Sequence, residues 1–296
     1  MPSSLVILNP YTGRWAGRRR RPEAERALRA AGVDFELVET QGPRHGEQLA
    51  EEATRQGRPI IVAGGDGSIG EAINGMYRAR PEGALGPIGV LPVGTANDLV
   101  HNLGLPLQLD QAAKLIAGGR TRRIDLIQAN DWVFCNNSAV GLEPVVTRKN
   151  IELVRWRGMV RYLLAALLAI ADKPTWRMHL AWDDGEYDGP VSLVSVGNCA
   201  ITGGLFRMAP AADPTDGLIT FVYGYAPTRR RMLSLLPRAM SGAYVRDPAM
   251  HQIHSRRLTI EARPATPIQV DGELRSESLT HVTYQILPAR LDIYAA

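Results

Sequence analysis

Short, continuous apolar runs alternate with longer amphipathic ones through the first part of the chain. Residues 5–8 (Leu-Val-Ile-Leu) form an apolar run stopped by Asn9-Pro10, which predicts a strand and a turn. Residues 22–31 are rich in Ala, Glu and Arg and are followed by Gly32, which predicts a helix with a C-terminal stop. A strand is predicted over 33–38 and a helix over 46–56. Residues 59–63 (Pro-Ile-Ile-Val-Ala) read as a buried strand running into Gly64-Gly65-Asp66-Gly67-Ser68, with a helix over 69–77. A further strand at 88–91 ends at Pro92. This alternation predicts a parallel, doubly wound α/β sheet.

The pattern changes near Arg123-Ile124-Asp125. Beyond Trp132 come short alternating or apolar runs at 132–136, 177–182, 191–196, 218–223, 257–262 and 267–270, separated by turn residues. They predict an antiparallel β domain. A helical insertion over 152–171 interrupts it, and a second helix is expected over 229–239. The division therefore falls into an α/β domain over residues 1–125 and a β domain over 126–287.

Composition narrows the class. A length of 296 residues suits about two domains. With 45% hydrophobic and 22% charged residues the chain can build ordinary cores, so disorder is not expected. A net charge of +4 is too small to indicate nucleic acid, and no nucleic-acid partner is expected; it suits phosphate handling or an anionic membrane equally. Cys135 and Cys199 are far apart, which argues against a disulfide framework and suits a reducing cytosol. The N-terminus does not read as a signal peptide. The most apolar stretch, 162–171, is shorter than the roughly 20 residues a spanning helix needs. A cytoplasmic protein is expected, with peripheral contact at the inner face of the membrane and a homodimer as one option. Arg155, Arg157 and Arg161 flank the apolar stretch; it reads as a core helix first, and as a wall of a lipid pocket or a membrane-docking element second.

The chemistry-bearing signal is Gly64-Gly65-Asp66-Gly67-Ser68. Glycines between a strand and a helix let the backbone approach a polyanion, and amides at the helix start point at it. No Walker lysine follows, so this is not a P-loop NTPase. Asp66 would repel a phosphate unless a divalent metal or a substrate hydroxyl lies between them; a plain turn with Asp66 capping the helix is the competing reading. Gly94-Thr95-Ala96-Asn97-Asp98 and Asn9-Pro10-Tyr11-Thr12-Gly13 are two further polar strand exits, and exits of this kind converge at the carboxyl ends of parallel strands.

These residues resemble the diacylglycerol-kinase-like family of lipid kinases, which includes the sphingosine and ceramide kinases. The resemblance covers nearly the whole chain. Asn9-Pro10, Gly13, Thr40, Gly64 to Ser68, Gly94-Thr95, Asn97-Asp98 and Ile124-Asp125 fall in the family's order. So do Asn198, Gly203-Gly204, Ala209-Pro210, Asp213, Asp216-Gly217-Leu218 and Asp271-Gly272-Glu273. The glycine loop alone also occurs in NAD kinases and phosphofructokinases; the ordered set is the specific feature. Ser68 stands where the family usually has Thr, Thr12 replaces a small residue, and Glu143 replaces a commoner Asp.

What the resemblance implies is an α/β N-terminal domain of the NAD kinase and diacylglycerol kinase type. A C-terminal antiparallel β-sandwich with inserted helices would follow, with the final strand, residues 290–294, returning so that 288–296 complete the first domain. The active site would lie in the cleft. Asn9, Pro10, Gly13, Thr40, Gly64, Gly65, Asp66, Gly67, Ser68, Thr95 and Asn97 would line ATP. Asp213, Asp216 and the carbonyl of Leu218 would hold Mg²⁺, with Asp98 and Asp125 in its network. Glu273 would accept the hydroxyl proton, with Asp66 as the other candidate and Asp271 beside the transferring phosphate. Glu143 would lie near the lipid headgroup. Asp271-Gly272 and Asp216-Gly217 are also ordinary turn pairs; the resemblance shifts both toward function. The expected activity is ATP- and Mg²⁺-dependent phosphorylation of a lipid hydroxyl, diacylglycerol or a relative first. A kinase for a soluble acceptor such as NAD and a silent lipid- or nucleotide-binding protein are the alternatives. The arginine run 18–21 reads as a solvated face preceding a helix, with ATP or an anionic membrane as its functional reading.

Overall fold

In the computed structural model, residues 3–153, 155–156, 158–172 and 174–295 are described. The chain divides into two compact units: Met1–Leu126, Val133–Cys135 and Leu287–Ala296 form the first, and Ile127–Trp132 with Asn136–Ile286 the second.

The first unit runs β1 (Ser4–Leu8), α1 (Thr12–Ala30), β2 (Phe35–Glu39), α2 (His45–Arg55), β3 (Ile60–Gly64), α3 (Asp66–Ala79), β4 (Leu85–Pro92), α4 (Asp98–Leu103), α5 (Leu109–Ala117) and β5 (Thr121–Ala129). β2, β1, β3 and β4 pair in that order, all parallel. Both faces are covered. Leu5, Ile7, Ile60, Val62, Ile88 and Val90 pack with residues of α2, α3 and α4. Their alternating neighbours Val6, Leu8, Ile61, Ala63 and Leu91 pack with α1 and α5. That is why these strands read as continuous apolar runs. Each Ile or Leu buried in these faces contributes about 1.5–3 kcal/mol of transfer free energy.

The helix expected at 22–31 begins at Thr12 instead, so the arginine run lies inside α1 rather than before it, with Pro22 in the helix interior. The run is held by pairs along and beside the helix: Arg20 with Glu23 at 2.9 Å, Arg21 with Glu25 at 2.8 Å and with Glu39 at 2.7 Å. Pro22 is exposed, and its ring removes one backbone donor from the helix.

The second unit continues with β6 (Trp132–Phe134), β7 (Asn137–Gly141), α6 (Leu142–Glu152), α7 (Gly158–Asp172), β8 (Trp176–Trp182), β9 (Gly185–Val191), β10 (Leu193–Gly197), β11 (Ile201–Thr202), β12 (Phe206–Arg207), β13 (Ile219–Gly224), α8 (Arg229–Ser241), β14 (Met250–Ser255), β15 (Arg257–Val270) and β16 (Glu273–Tyr294). Val133 and Phe134 of β6, with Cys135 after it, belong to the first unit, where Asn74 of α3 donates to Val133 O at 2.7 Å and accepts from Val133 N at 3.0 Å. The antiparallel order is β14-β13-β10-β7-β15. The runs at 257–262 and 267–270 are two halves of one strand. Register shifts between Glu261 and Gln269 let β15 pair β8 with its first half and β7 with its second. Residues 287–294, the end of β16, belong to the first unit, where Leu291 and Ile293 pair β4 in parallel with Leu85 and Ile88.

The helix expected over 152–171 corresponds to α7, which starts later, and α6 before it, Leu142–Glu152, was not expected. Leu153 leaves helical geometry at ψ 49 and closes α6, and α7 begins at Gly158. Arg157 lies outside the described residues.

Gly75 of α3 shows how close the α2–α3 packing is. A Cβ there would stand 2.1 Å from Glu47 O and 3.0 Å from Glu51 N, both backbone atoms of α2. Gly75→Ala is therefore expected to destabilise the protein by about 1–3 kcal/mol, although Ala is the better helix former. Urea unfolding checks this, and a gain in stability would refute it.

Candidate functional site

In the first unit the parallel register brings the carboxyl ends of β1, β3 and β4 level, with Leu8 opposite Ala63 and Gly64 opposite Pro92. Their exits are tied together. Asn9 N donates to Ala63 O at 3.1 Å, and Asn9 Nδ2 donates to Ser68 Oγ at 3.0 Å. Val93 N and Gly94 N both donate to Gly64 O at 3.1 Å, and Thr40 N donates to Leu8 O at 2.8 Å. Gly65 and Gly94 touch backbone to backbone: a Cβ on Gly94 would lie 2.5 Å from Gly65 Cα. Gly13, at φ +55, sits where a Cβ would meet Val93 O at 3.3 Å and Thr95 Oγ1 at 3.9 Å. Asn97, at φ 51, donates to Gly94 O at 3.2 Å. Thus Asn9, Pro10, Gly13, Thr40, the glycine loop, Thr95 and Asn97 form one cluster on four strand exits.

Gly65, not Asp66, is the N-cap of α3. Asp66 opens the helix, and its Oδ1 accepts from Leu99 N at 3.1 Å, fastening the first turn of α4. Asp98, the first residue of α4, is buried. Asp125 is buried in β5 and accepts from Ala289 N at 2.6 Å. Backbone glycines that a Cβ would fill, beside the amino end of a 14-residue helix, fit a phosphate chain.

Beside this cluster is a groove of about 660 Å³, its open mouth included, lined by Pro10, Tyr11, Trp15, Arg18, Glu39, Thr40 and Gln41. Tyr11 and Trp15 meet edge to face at 4.8 Å and are each about half exposed, at 51% and 48%. A half-exposed aromatic pair offers a planar base a stacking face. Tyr11 lies in the strand exit 9–13 that the sequence singled out, whereas Trp15 was missed; Trp15 takes a left-handed φ of 72, which only the fold imposes.

In the second unit, Asp271 and Gly272 form the two-residue turn of the β15–β16 hairpin, with φ 48 and 79 and Val270 opposite Glu273. Asp271 is more than a turn residue. It is buried, and its Oδ1 accepts from Asn136 N at 3.0 Å and Asn137 N at 3.1 Å. Glu273 next to it is exposed and pairs with Arg275 at 3.1 Å. Asp66 belongs to the other unit.

Asp213, Asp216 and Leu218 share the loop before β13. Asp213 Oδ1 accepts from Thr215 N at 3.0 Å and Thr215 Oγ1 at 2.7 Å; Asp216 Oδ1 accepts from Leu218 N at 2.9 Å. Among the described residues no group of three or more His, Cys, Asp or Glu is close enough to hold a metal by itself. Two exposed carboxylates and a carbonyl are nevertheless hard oxygen donors of the kind Mg²⁺ takes when phosphates and water complete its shell.

Glu143 lies apart from these groups, on the first turn of α6. It lines an apolar cavity of about 700 Å³, mouth included, walled by Val146 of α6, Tyr162, Ala166 and Ile170 of α7, and Met232 and Leu235 of α8, among others. Burial is the main reason its carboxyl is pushed up to about 8, and the Ser195 hydroxyl offsets part of that. Its Oε1 has no hydrogen-bond partner. The cavity was not read from the sequence beyond its α7 wall. Met232, Leu235 and Ala239 on α8 carried the helical spacing, but which face of α8 meets α7 is a tertiary fact.

A carboxyl held near 8 in the fold and at 4.5 in the unfolded chain binds its proton more tightly when folded. Stability is then lost as pH rises from about 4.5 to about 8, by up to a few kcal/mol. Glu143→Gln, which does not titrate, is expected to match the wild type near pH 4 and to exceed it at pH 8 in chemical unfolding; parallel pH curves would refute the assignment.

A model of the diacylglycerol kinase catalytic domain matches residues 3–129, and one of the YegS C-terminal NAD kinase beta sandwich-like domain matches residues 137–295. Proteins of Salmonella gallinarum and Salmonella heidelberg, each named "Probable lipid kinase YegS", are 28% identical over 294 residues, 98% of this chain and 95% of theirs. The crystal structure of a diacylglycerol kinase from Bacillus anthracis str. Sterne has a TM-score of 0.81 at 22% identity, covering 99% of this chain and 97% of that one. An NAD kinase from Archaeoglobus fulgidus in complex with ATP has a TM-score of 0.54 at 14% identity over 99% and 93%. The structural likenesses show a shared fold: an NAD-kinase-like α/β domain and a C-terminal β-sandwich domain. Matched in order by both domain models, the chain belongs to the diacylglycerol kinase catalytic-domain family of lipid kinases.

Proposed function

We propose that this lipid kinase transfers the terminal phosphate of ATP, with Mg²⁺, to a hydroxyl of diacylglycerol or a closely related lipid. The observation that carries the lipid assignment is the apolar cavity of the second unit, about 700 Å³ with its mouth, a size typical of pockets that hold small ligands. A soluble acceptor such as NAD would leave that cavity without a use.

Phosphoryl transfer asks a protein mainly to position groups and to neutralise charge. In this reading the Gly64 to Ser68 loop, Asn9 and Thr95 hold the phosphates, while Tyr11, Trp15 and Thr40 meet the base. Asp213, Asp216 and the Leu218 carbonyl would hold Mg²⁺, and Asp98 and Asp125 would belong to its surrounding network. Mg²⁺, when bound, supplies charge neutralisation on the phosphate oxygens. Glu273 accepts the lipid hydroxyl proton; its exposure and its turn position leave it accessible to a substrate. Asp271, braced by two backbone amides, holds that turn in place.

The substrate also suggests a bilayer contact. α7 turns Tyr162, Ala166 and Ile170 to the cavity, while Val160, Leu167 and Leu168 are exposed, as are Ile151 and Trp156 before it. No helix of the described residues is long and apolar enough to cross a membrane. A helix apolar on both sides beside basic Arg148 and Arg155 suits the surface of an anionic bilayer.

With labelled ATP, Mg²⁺ and a panel of lipids in mixed micelles plus NAD, a phosphorylated lipid is expected. It should be lost with chelator and reduced roughly 10²–10⁴-fold in Glu273→Ala. Phosphorylated NAD with no lipid product would overturn the lipid reading, and a Glu273→Ala enzyme of normal turnover would remove its role as proton acceptor. For the bilayer contact, Leu167→Glu/Leu168→Glu is expected to cut co-sedimentation with phosphatidylglycerol vesicles several-fold while micellar activity is kept; unchanged sedimentation would refute it.

A further inference from the structure

The cavity of the second unit has one polar feature that its walls do not explain. Nearly every residue around it is apolar, from α6, α7 and α8 to Phe206, Met208 and Met250. Glu143 is 9% exposed, and its Oε1 is fully buried without a partner. The hydroxyls nearby do not remove the problem. Tyr244 donates its own hydroxyl to Met208 O, and Ser192 Oγ accepts from Ala226 N at 3.1 Å, with no bond from Ser192 to Glu143 Oε1. The Ser195 hydroxyl is close enough to Glu143 to offset part of the rise in its pKa, but no hydrogen bond of ordinary geometry joins them, so Ser195 Oγ and Glu143 Oε1 are both buried without a partner. A buried polar atom left unmatched carries a desolvation penalty that a ligand can relieve.

The form of that ligand follows from the surroundings. Among the described residues no Lys, Arg or His lines the cavity to hold a carboxylate, and burial keeps the Glu143 carboxyl neutral at pH 7. A neutral carboxyl in an apolar site is a hydrogen-bond donor. Its complement is a neutral acceptor carried on an apolar chain. An ammonium group would need the carboxyl ionised and would bury two ions among apolar side chains, where desolvation opposes the pairing.

We propose that Glu143 is a specificity-determining residue that donates its O–H to an acyl carbonyl of the lipid whose chain fills this cavity, so that the substrate class is acylated lipids, not ether lipids or free sphingoid bases. This rests on the lipid-kinase reading for the phosphoryl step but makes its own claim about binding.

The test is therefore binding without nucleotide: displacement of a pyrene-labelled diacylglycerol from the full-length protein in detergent micelles. The competitors are a diester glycerol, the diether glycerol of the same chain length, and a sphingoid base. The wild type is expected to favour the diester over the diether roughly tenfold. Glu143→Gln, whose amide still donates, should keep most of that preference. Glu143→Leu should bind diester and diether alike while still binding the probe, which also shows that it is folded. Equal binding of diester and diether by the wild type overturns the proposal, as does a preference that survives in Glu143→Leu. Tight binding of the sphingoid base that is lost in Glu143→Gln overturns it in favour of a charged carboxylate. Ester preference in binding with no lipid phosphorylated would sink the kinase reading and leave this one standing; phosphorylation without ester preference would do the reverse.

Discussion

The approach of Gly65 to Gly94 is the constraint on which the nucleotide-facing part of the molecule depends. With a Cβ on Gly94 only 2.5 Å from Gly65 Cα, neither loop accommodates a side chain without separating. That contact is locked by two amides, Val93 N and Gly94 N, converging on Gly64 O. Once β3 and β4 end in this pair, the amino end of α3 and the start of α4 are set beside each other, and Asp66 closes the join through Leu99 N. The exit of β1 then completes the cluster through Asn9 and Ser68. The sheet beneath supplies rigidity, because both its faces are buried.

The second unit uses its polar groups sparingly and in two ways. On the β15–β16 hairpin, Asp271 is buried but satisfied: two backbone amides point at one carboxylate oxygen, and Gln269 braces the turn by accepting from Gly272 N at 2.8 Å. That arrangement orients Glu273, which stays exposed. In the cavity, Glu143 is buried without a partner on one oxygen. A carboxyl group serves in the first case as a brace for its neighbours and in the second as a polar point on an apolar wall. The difference is set by what surrounds each carboxylate, not by the carboxylate.

Strands packed on both faces announced themselves: residues 5–8, 59–63 and 88–91 carried apolar runs and became β1, β3 and half of β4. β16 did not, because much of its first half is exposed and its residues alternate without a clear apolar face. The start of α1 was hidden by Pro22, which marks a first turn in most helices but here lies inside one. The arginine run was legible as solvated, yet its pairing with Glu39 of β2 is a contact across elements that spacing along α1 cannot reveal.

By itself the sequence determined the two-part division, the glycine-rich strand exits, the ordered set of carboxylates and the family they resemble, since these depend on local chain chemistry and on motif order. The tertiary structure decided that Gly65 must lie against Gly94, that Trp15 takes a left-handed conformation beside Tyr11, and that three helices enclose an apolar cavity around Glu143. Those are properties of surfaces that meet only after the chain has folded. A residue's burial, its partners and therefore its protonation are set by atoms distant in sequence.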